Sequence, residues 1–159
     1  MQLHQHSGIK RLVVLAALLL LGACSSPYKS PTRHDTVRAE QVAQLARTMV
    51  GAPYKYGGLN PKTGFDCSGL VYFTHRSVGV TLPRTSQAQY RSTRPIHRDD
   101  LEPGDLVFFR LRRSKISHVG IYLGDDRFVH APSSGKVVRI NSLENPYWDK
   151  HFIRGGRVF

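Results

Sequence analysis

From Asp105 to its end the chain is cut into short β-rich runs, and this constrains the fold more than any other sequence feature. The runs are Asp105 to Leu111, His118 to Leu123, Arg127 to His130, Val137 to Asn141 and Phe152 to Phe159. Pro-Gly, Gly-Asp-Asp, Ser-Ser-Gly and Gly-Gly signals separate them, as tight turns separate strands. The preceding part reads differently. Val42, Leu45, Ala46, Met49 and Val50 follow helical spacing behind a cap at Asp35 or Thr36, and Gly51 stops that helix. A glycine-rich loop from Pro53 to Gly64 leads to a second helix over Cys67 to Ser77, ended by Gly79. Pro83 to Arg94 reads as a loop with a short helix from Ser86. Helices first and a strand meander after predict an α+β fold, with helices packed on a largely antiparallel sheet of five to six strands.

The N-terminus speaks to compartment. Lys10 and Arg11 precede an apolar run from Leu12 to Ala23, 12 residues long, whereas a spanning helix needs about 20. A basic start, a short apolar stretch and small residues predict a secretory signal over residues 1–23; a short anchor helix is the alternative. Leu21-Gly22-Ala23-Cys24 resembles a bacterial lipobox. That resemblance implies cleavage before Cys24 and a lipid (palmitate) on it. Ser25 in place of Asp leans towards the periplasmic face of the outer membrane rather than the inner one. Residues 24–34, with Pro27 and Pro31, read as a flexible tether.

Removing residues 1–23 leaves 136 of the 159 residues, enough for one core and not two. Of the +12 formal charge, +10 stays with the mature part, because only Lys10 and Arg11 are lost. A basic surface suits a polyanionic neighbour. For a lipoprotein that is anionic wall or lipid, not nucleic acid. A merely soluble, basic surface accounts for most of these charges as well.

The chain has two cysteines, Cys24 and Cys67. With lipid on Cys24, Cys67 has no partner, and a lone thiol in an exported chain is a candidate reactive group. A buried structural cysteine and a Cys24–Cys67 disulfide are the alternatives. Asp66 sits at a helix N-cap, which puts Cys67 at the first helical position. Unpaired N–H groups and the helix dipole there favour a thiolate and predict a lowered cysteine pKa. A nucleophilic thiolate needs a base, and the base an orienting group. Gly124-Asp125-Asp126 joins HVGIYLG to FVHAP as a hairpin would, which brings His118 beside His130. His118 then serves as base and His130 as its orienting partner. Two unrelated strand-end histidines, or a zinc site of Cys67, His118 and His130, are the competing readings; the close-spaced ligand pairs of structural zinc sites are missing. His34, His75, His97 and His151 read as surface residues.

YKYGG at 54–58, FDCSGLV at 65–71, LPRTSQAQ at 82–89, EPGDLVFF at 102–109, SHVGIYLG at 117–124 and FVHAP at 128–132 occur in that order. Together they resemble the NlpC-type cell-wall peptidases, a bacterial branch of the papain-like cysteine peptidases. The resemblance covers nearly all of residues 36–159. It implies a papain-like peptidase domain over 35–159, with Cys67 as nucleophile, His118 as base, His130 as orienting residue and Tyr56 as an oxyanion-stabilising hydroxyl. It places Asp66 and Ser68 where related peptidases hold a stem-peptide amine, and Arg84, Ser86 and Ser117 along the cleft, with Arg84 suited to a peptide carboxylate. The implied activity is hydrolysis of peptidoglycan stem-peptide amides without metal or cofactor, at the D-alanyl–diaminopimelyl cross-link or alternatively the γ-D-glutamyl–diaminopimelyl bond. An inactive wall-binding lipoprotein is the reading from another class. Uncontrolled wall cleavage is lethal, so a regulatory adaptor or protease is an expected partner that no residue names.

Overall fold

The computed structural model describes residues 32–159, apart from 112–114 and 134–135. The leader, Cys24 and most of the tether lie outside the described residues. Among the described residues no helix is long and apolar enough to cross a membrane.

Helix α1 spans Arg33–Thr48 and begins sooner than its apolar spacing predicts. Thr32 is its N-cap and accepts from the Asp35 N–H, while the Asp35 carboxylate accepts from the Thr32 N–H. This reciprocal capping box satisfies two end donors at once, so neither Asp35 nor Thr36 is the cap. Val42, Ala43 and Ala46 bury its inner face, and Val50 stays exposed. Strands β1 (Leu59–Asn60) and β2 (Gly64–Phe65) pair antiparallel inside the predicted loop.

Helix α2 is Cys67–Ser77, capped by Asp66 as expected, and buries Leu70, Val71, Thr74 and His75. His75 is therefore no surface residue. Helix α3 is Ser86–Ser92, capped by Thr85. Strand β3 (Arg94–Ile96) follows, then β4 (Leu106–Phe109), β5 (His118–Gly124), β6 (Arg127–His130) and β7 (Arg139–Ser142). A short helix α4 (Pro146–His151) precedes β8 (Phe152–Arg157). The six long-sheet strands run in the order β3-β8-β4-β5-β6-β7, every neighbour antiparallel. The α+β architecture and the six-strand upper count are as expected.

Alternation along the strands builds two cores. Leu106, Phe108, Val119, Ile121 and Val129 belong to one cluster with residues of α1 and α2. Val107, Phe109, Tyr122 and Phe128 belong to the other, with Leu143 and Trp148 of the α4 region. Between β5 and β6, Asp125 and Asp126 both take positive φ, 50° and 52°. That is the backbone of a two-residue type I′ hairpin, whose twist matches its strands. Asp tolerates it better than most residues.

Candidate active site

The N-terminus of α2, the starts of β5 and β7 and the segment that follows β6 from Ala131 meet in one open cleft of about 1220 Å3. Ordinary small-molecule pockets hold about 300–1,000 Å3. Cys67, His118 and Asn141 line it. The backbone N–H groups of Val119, next in sequence to His118, and of Ser68 and Cys67 favour a negative charge on the Cys67 sulfur. The thiol thus lies against the first residues of β5.

The hairpin delivers the histidine pair. His118 Nε2 lies 2.7 Å from His130 Nδ1, and His130 Nε2 lies 2.9 Å from Asn141 Oδ1. With Asn141 presenting its oxygen, an acceptor, the protons follow. His130 donates from Nε2 to Asn141 and accepts at Nδ1 from His118 Nε2–H. Nδ1 of His118 is left as the unprotonated base. The competing zinc arrangement loses His130, whose two ring nitrogens face His118 and Asn141. Among the described residues no three His, Cys, Asp or Glu are placed to hold a metal.

Aromatic rings wall this pair. Trp148 stacks on His118 at 5.5 Å and meets His130 edge-on at 4.8 Å. Phe109 lies 6.0 Å from His118, and Phe128 5.0 Å from His130. Both imidazoles are buried, which disfavours their charged forms. Burial, then the neighbouring His130, push His118 well below the usual histidine range. Burial takes His130 down to about 4; the Asn141 hydrogen bond opposes it, and the charges of Arg139 and Lys136 add to it.

Cys67 corrects an expectation. Burial pushes its thiol up to about 11, Asp66 adds to the rise, and the three N–H groups only partly offset it. Desolvation opposes the helix terminus and favours the neutral thiol and the neutral imidazole.

Asp66, Ser68 and Arg84 form one hydrogen-bonded cluster. Arg84 forks onto both oxygens of Asp66 at 2.6 and 3.0 Å and donates to Ser68 Oγ at 2.9 Å. Asp66 also accepts from the Gly57 and Gly69 N–H groups at 2.9 and 2.7 Å and from Ser68 Oγ at 3.3 Å. The carboxylate expected to hold a peptide amine and the guanidinium expected to hold a peptide carboxylate hold each other. They pin the 53–58 loop and the Arg84 loop to the start of α2. Ser86 and Ser117 line the cleft, but Ser117 Oγ accepts from the Leu111 N–H at 3.0 Å, bracing its own loop.

The tyrosine shifts by two. Tyr56 lines the cleft but is 88% exposed. Tyr54 packs against the same core cluster as Cys67. Burial and then a charge on Cys67 raise its phenol pKa, which sets Tyr54 within electrostatic reach of the sulfur. Asn141 and Trp148 were not singled out from the sequence either. Asn145 capping and Pro146 at the first turn were the available signal for α4.

The sequence model of the NlpC/P60 family matches residues 51–157, a span that holds every residue of this cleft. The chain belongs to the NlpC/P60 family. Murein DD-endopeptidase MepH of Escherichia coli K12 is 44% identical over 114 residues, covering 69% of this chain and 42% of MepH. The bifunctional muramidase/DL-endopeptidase CwlT of Bacillus subtilis 168 is 42% identical over 121 residues, covering 75% of this chain and 36% of CwlT. This chain therefore spans less than half the length of these curated relatives. A crystal structure from Staphylococcus aureus Mu50, described as similar to lipoprotein of the NLP/P60 family, matches with a TM-score of 0.71. It is 36% identical, over 82% of this chain and 44% of that one. The NlpC/P60 fold here is α+β and papain-like, with the Cys67 helix against the antiparallel sheet.

Proposed function

We propose that this chain is a cysteine-type peptidase that hydrolyses stem-peptide amides of peptidoglycan. The observation that carries it is the directed hydrogen-bond chain from Asn141 through His130 to His118, in one cleft with Cys67. Nδ1 of His118 takes the thiol proton as the sulfur attacks the amide carbonyl. A tetrahedral intermediate forms, and the Cys67 N–H and the Tyr54 hydroxyl face its oxyanion. His118 then passes the proton to the leaving nitrogen, and the C–N bond breaks. The acyl-enzyme thioester is cleaved by water, whose proton His118 takes and returns to the sulfur. His130 holds the ring of His118, and Asn141 holds that of His130.

The bond we assign is the D-alanyl–diaminopimelyl cross-link, the type of activity named for MepH. The γ-D-glutamyl–diaminopimelyl bond is the second reading, favoured by the DL-endopeptidase named at comparable identity. We also propose lipid on Cys24 and a periplasmic, outer-membrane location, on the lipobox-like sequence alone. The full chain, incubated with muropeptide dimers and intact sacculi beside a Cys67→Ala control, tests the activity by mass spectrometry of products. Conversion of dimers to monomers supports the cross-link. Shortened stems in uncleaved dimers move the cut to the γ-D-glutamyl bond. No product from either substrate would overturn the enzyme reading in favour of a wall-binding protein.

A further inference from the structure

Charge in the cleft is lopsided. Among the described residues its lining holds one carboxylate, Asp66, and four cations, Arg84, Lys115, Lys136 and Arg139. Asp66 and Arg84 neutralise each other. Among the described residues no ion pair reaches Lys115, Lys136 or Arg139. Every Asp and Glu of the sequence lies within those residues, so no acidic side chain elsewhere in the chain is held in reserve for them. Among the described residues the cleft therefore keeps three positive charges with no ion-pair partner, Lys115, Lys136 and Arg139.

Two of them sit on the histidine side. Arg139 is directly opposite His130 in the β6–β7 ladder, and residues opposite each other across an antiparallel pair share a face. Lys136 lies just before β7, and both cations bear electrostatically on His130. In the proposed reaction His118 delivers its proton to the leaving nitrogen, so the leaving half of the substrate must lie over the histidines. A carboxylate borne by the carbon attached to that nitrogen is only two bonds away from it.

We propose that Lys136 and Arg139 form a subsite for a free carboxylate on the leaving-amine carbon of the substrate, and so select the bond that is cut. This rests on the peptidase reading above. The chemistry separates the two candidate bonds. In the D-alanyl–diaminopimelyl cross-link, the leaving nitrogen sits on a diaminopimelate centre whose carboxylate is free. In the γ-D-glutamyl–diaminopimelyl bond of a tetrapeptide, the corresponding carboxyl is tied up in the amide to D-alanine. A cationic pair beside the general acid rewards the first and gains nothing from the second. Two charge-assisted contacts also give orientation to the scissile amide.

The test uses the full chain and two cross-linked tetrapeptide dimers. One carries the free carboxylate beside the scissile nitrogen, and in the other it is converted to the primary amide. For the parent protein, amidation should lower kcat/KM by about 10- to 100-fold, the range expected for losing hydrogen bonds to a charged group. Lys136→Gln/Arg139→Gln should lose a similar factor on the free-carboxylate dimer and then cut both dimers alike. The parent's preference is readable even where the double variant folds poorly. Equal rates on both dimers by the parent, or an unchanged preference in the variant, would overturn the subsite and leave the peptidase standing. Failure of the parent to cut either dimer at any bond would overturn both.

Discussion

Replacing His75 with leucine removes a buried titratable group while roughly conserving volume. The His75 ring is fully buried on α2, stacked 5.9 Å from Phe159. Its Nδ1 lies 2.9 Å from the Val71 carbonyl, and its Nε2 has no hydrogen-bond partner. Burial lowers its pKa to about 4, with the Val71 carbonyl opposing the shift. In the unfolded chain the value is about 6.5. A proton added to the folded protein would therefore be a buried charge with one neutral partner. The unfolded chain binds more protons between these two values, so His75 stabilises the fold fully above about pH 6.5. That contribution is lost as pH falls towards 4.

The loss amounts to about 3 kcal/mol at its limit and about 2–3 kcal/mol at pH 4.5. Urea unfolding followed by the fluorescence of Trp148, the only tryptophan, at pH 7.5 and 4.5 measures it. At pH 7.5, His75→Leu should cost less than about 1.5 kcal/mol, as volume-conserving core changes do. Between the two pH values the parent should lose about 2–3 kcal/mol more than the variant. His118 and His130 titrate in both proteins and cancel in the difference. Parallel losses, within about 0.5 kcal/mol, would refute the claim that the folded state holds His75 neutral at pH 4.5.

Asn141→Ala should lower kcat on a muropeptide dimer by about tenfold or more with little change in KM, because it frees the His130 tautomer and touches no bond being broken. The pH dependence of kcat/KM should have its acid limb below about pH 6.5 and its alkaline limb above about pH 9, since burial moves His118 down and Cys67 up. An acid limb at or above pH 7 would contradict the burial seen here. Iodoacetamide should alkylate Cys67 at pH 7.5 at least about tenfold more slowly than free cysteine, and a faster rate would mean a resting thiolate. Gly69→Ala should destabilise the protein by about 2–4 kcal/mol in urea unfolding, because a Cβ there collides with the Gly58 carbonyl oxygen.

Local patterns carried the parts of the fold that local chemistry dictates. Gly124-Asp125-Asp126 between two apolar runs specified a hairpin, and a hairpin leaves few ways to place His118 relative to His130. Asn141 could not be found this way. Its contact needs the β6–β7 register, and the Ser-Ser-Gly signal within residues 131–138 marks a turn without fixing that register. Strand β3 has no sequence signature, because Arg94 and Pro95 are both exposed and no alternation marks it. Its Pro95 has no N–H, which edge strands tolerate. His75 carried a signal that residue type obscured. It lies four residues from Val71 and shares the buried face of α2 with it. Tyr54 and Tyr56 lie two residues apart, a spacing that puts both on one face of an extended segment, so only the packing around Cys67 separates them.

Burial has opposite effects on the two halves of the proposed catalytic pair. It raises the thiol and lowers the imidazole, which disfavours the ion pair before substrate arrives. Such a site is slow towards small electrophiles and oxidants, which attack thiolates. Attack on an amide carbonyl changes the balance, because the negative charge moves from sulfur to the carbonyl oxygen. The Cys67 N–H and the Tyr54 hydroxyl can meet it there. The positive charge forms on His118, where Trp148 offers a stacked ring face at 5.5 Å and His130 holds the ring through Nε2. These aids act on the transition state more than on the resting thiol, so the same desolvation that quiets the free enzyme strengthens them once water is displaced.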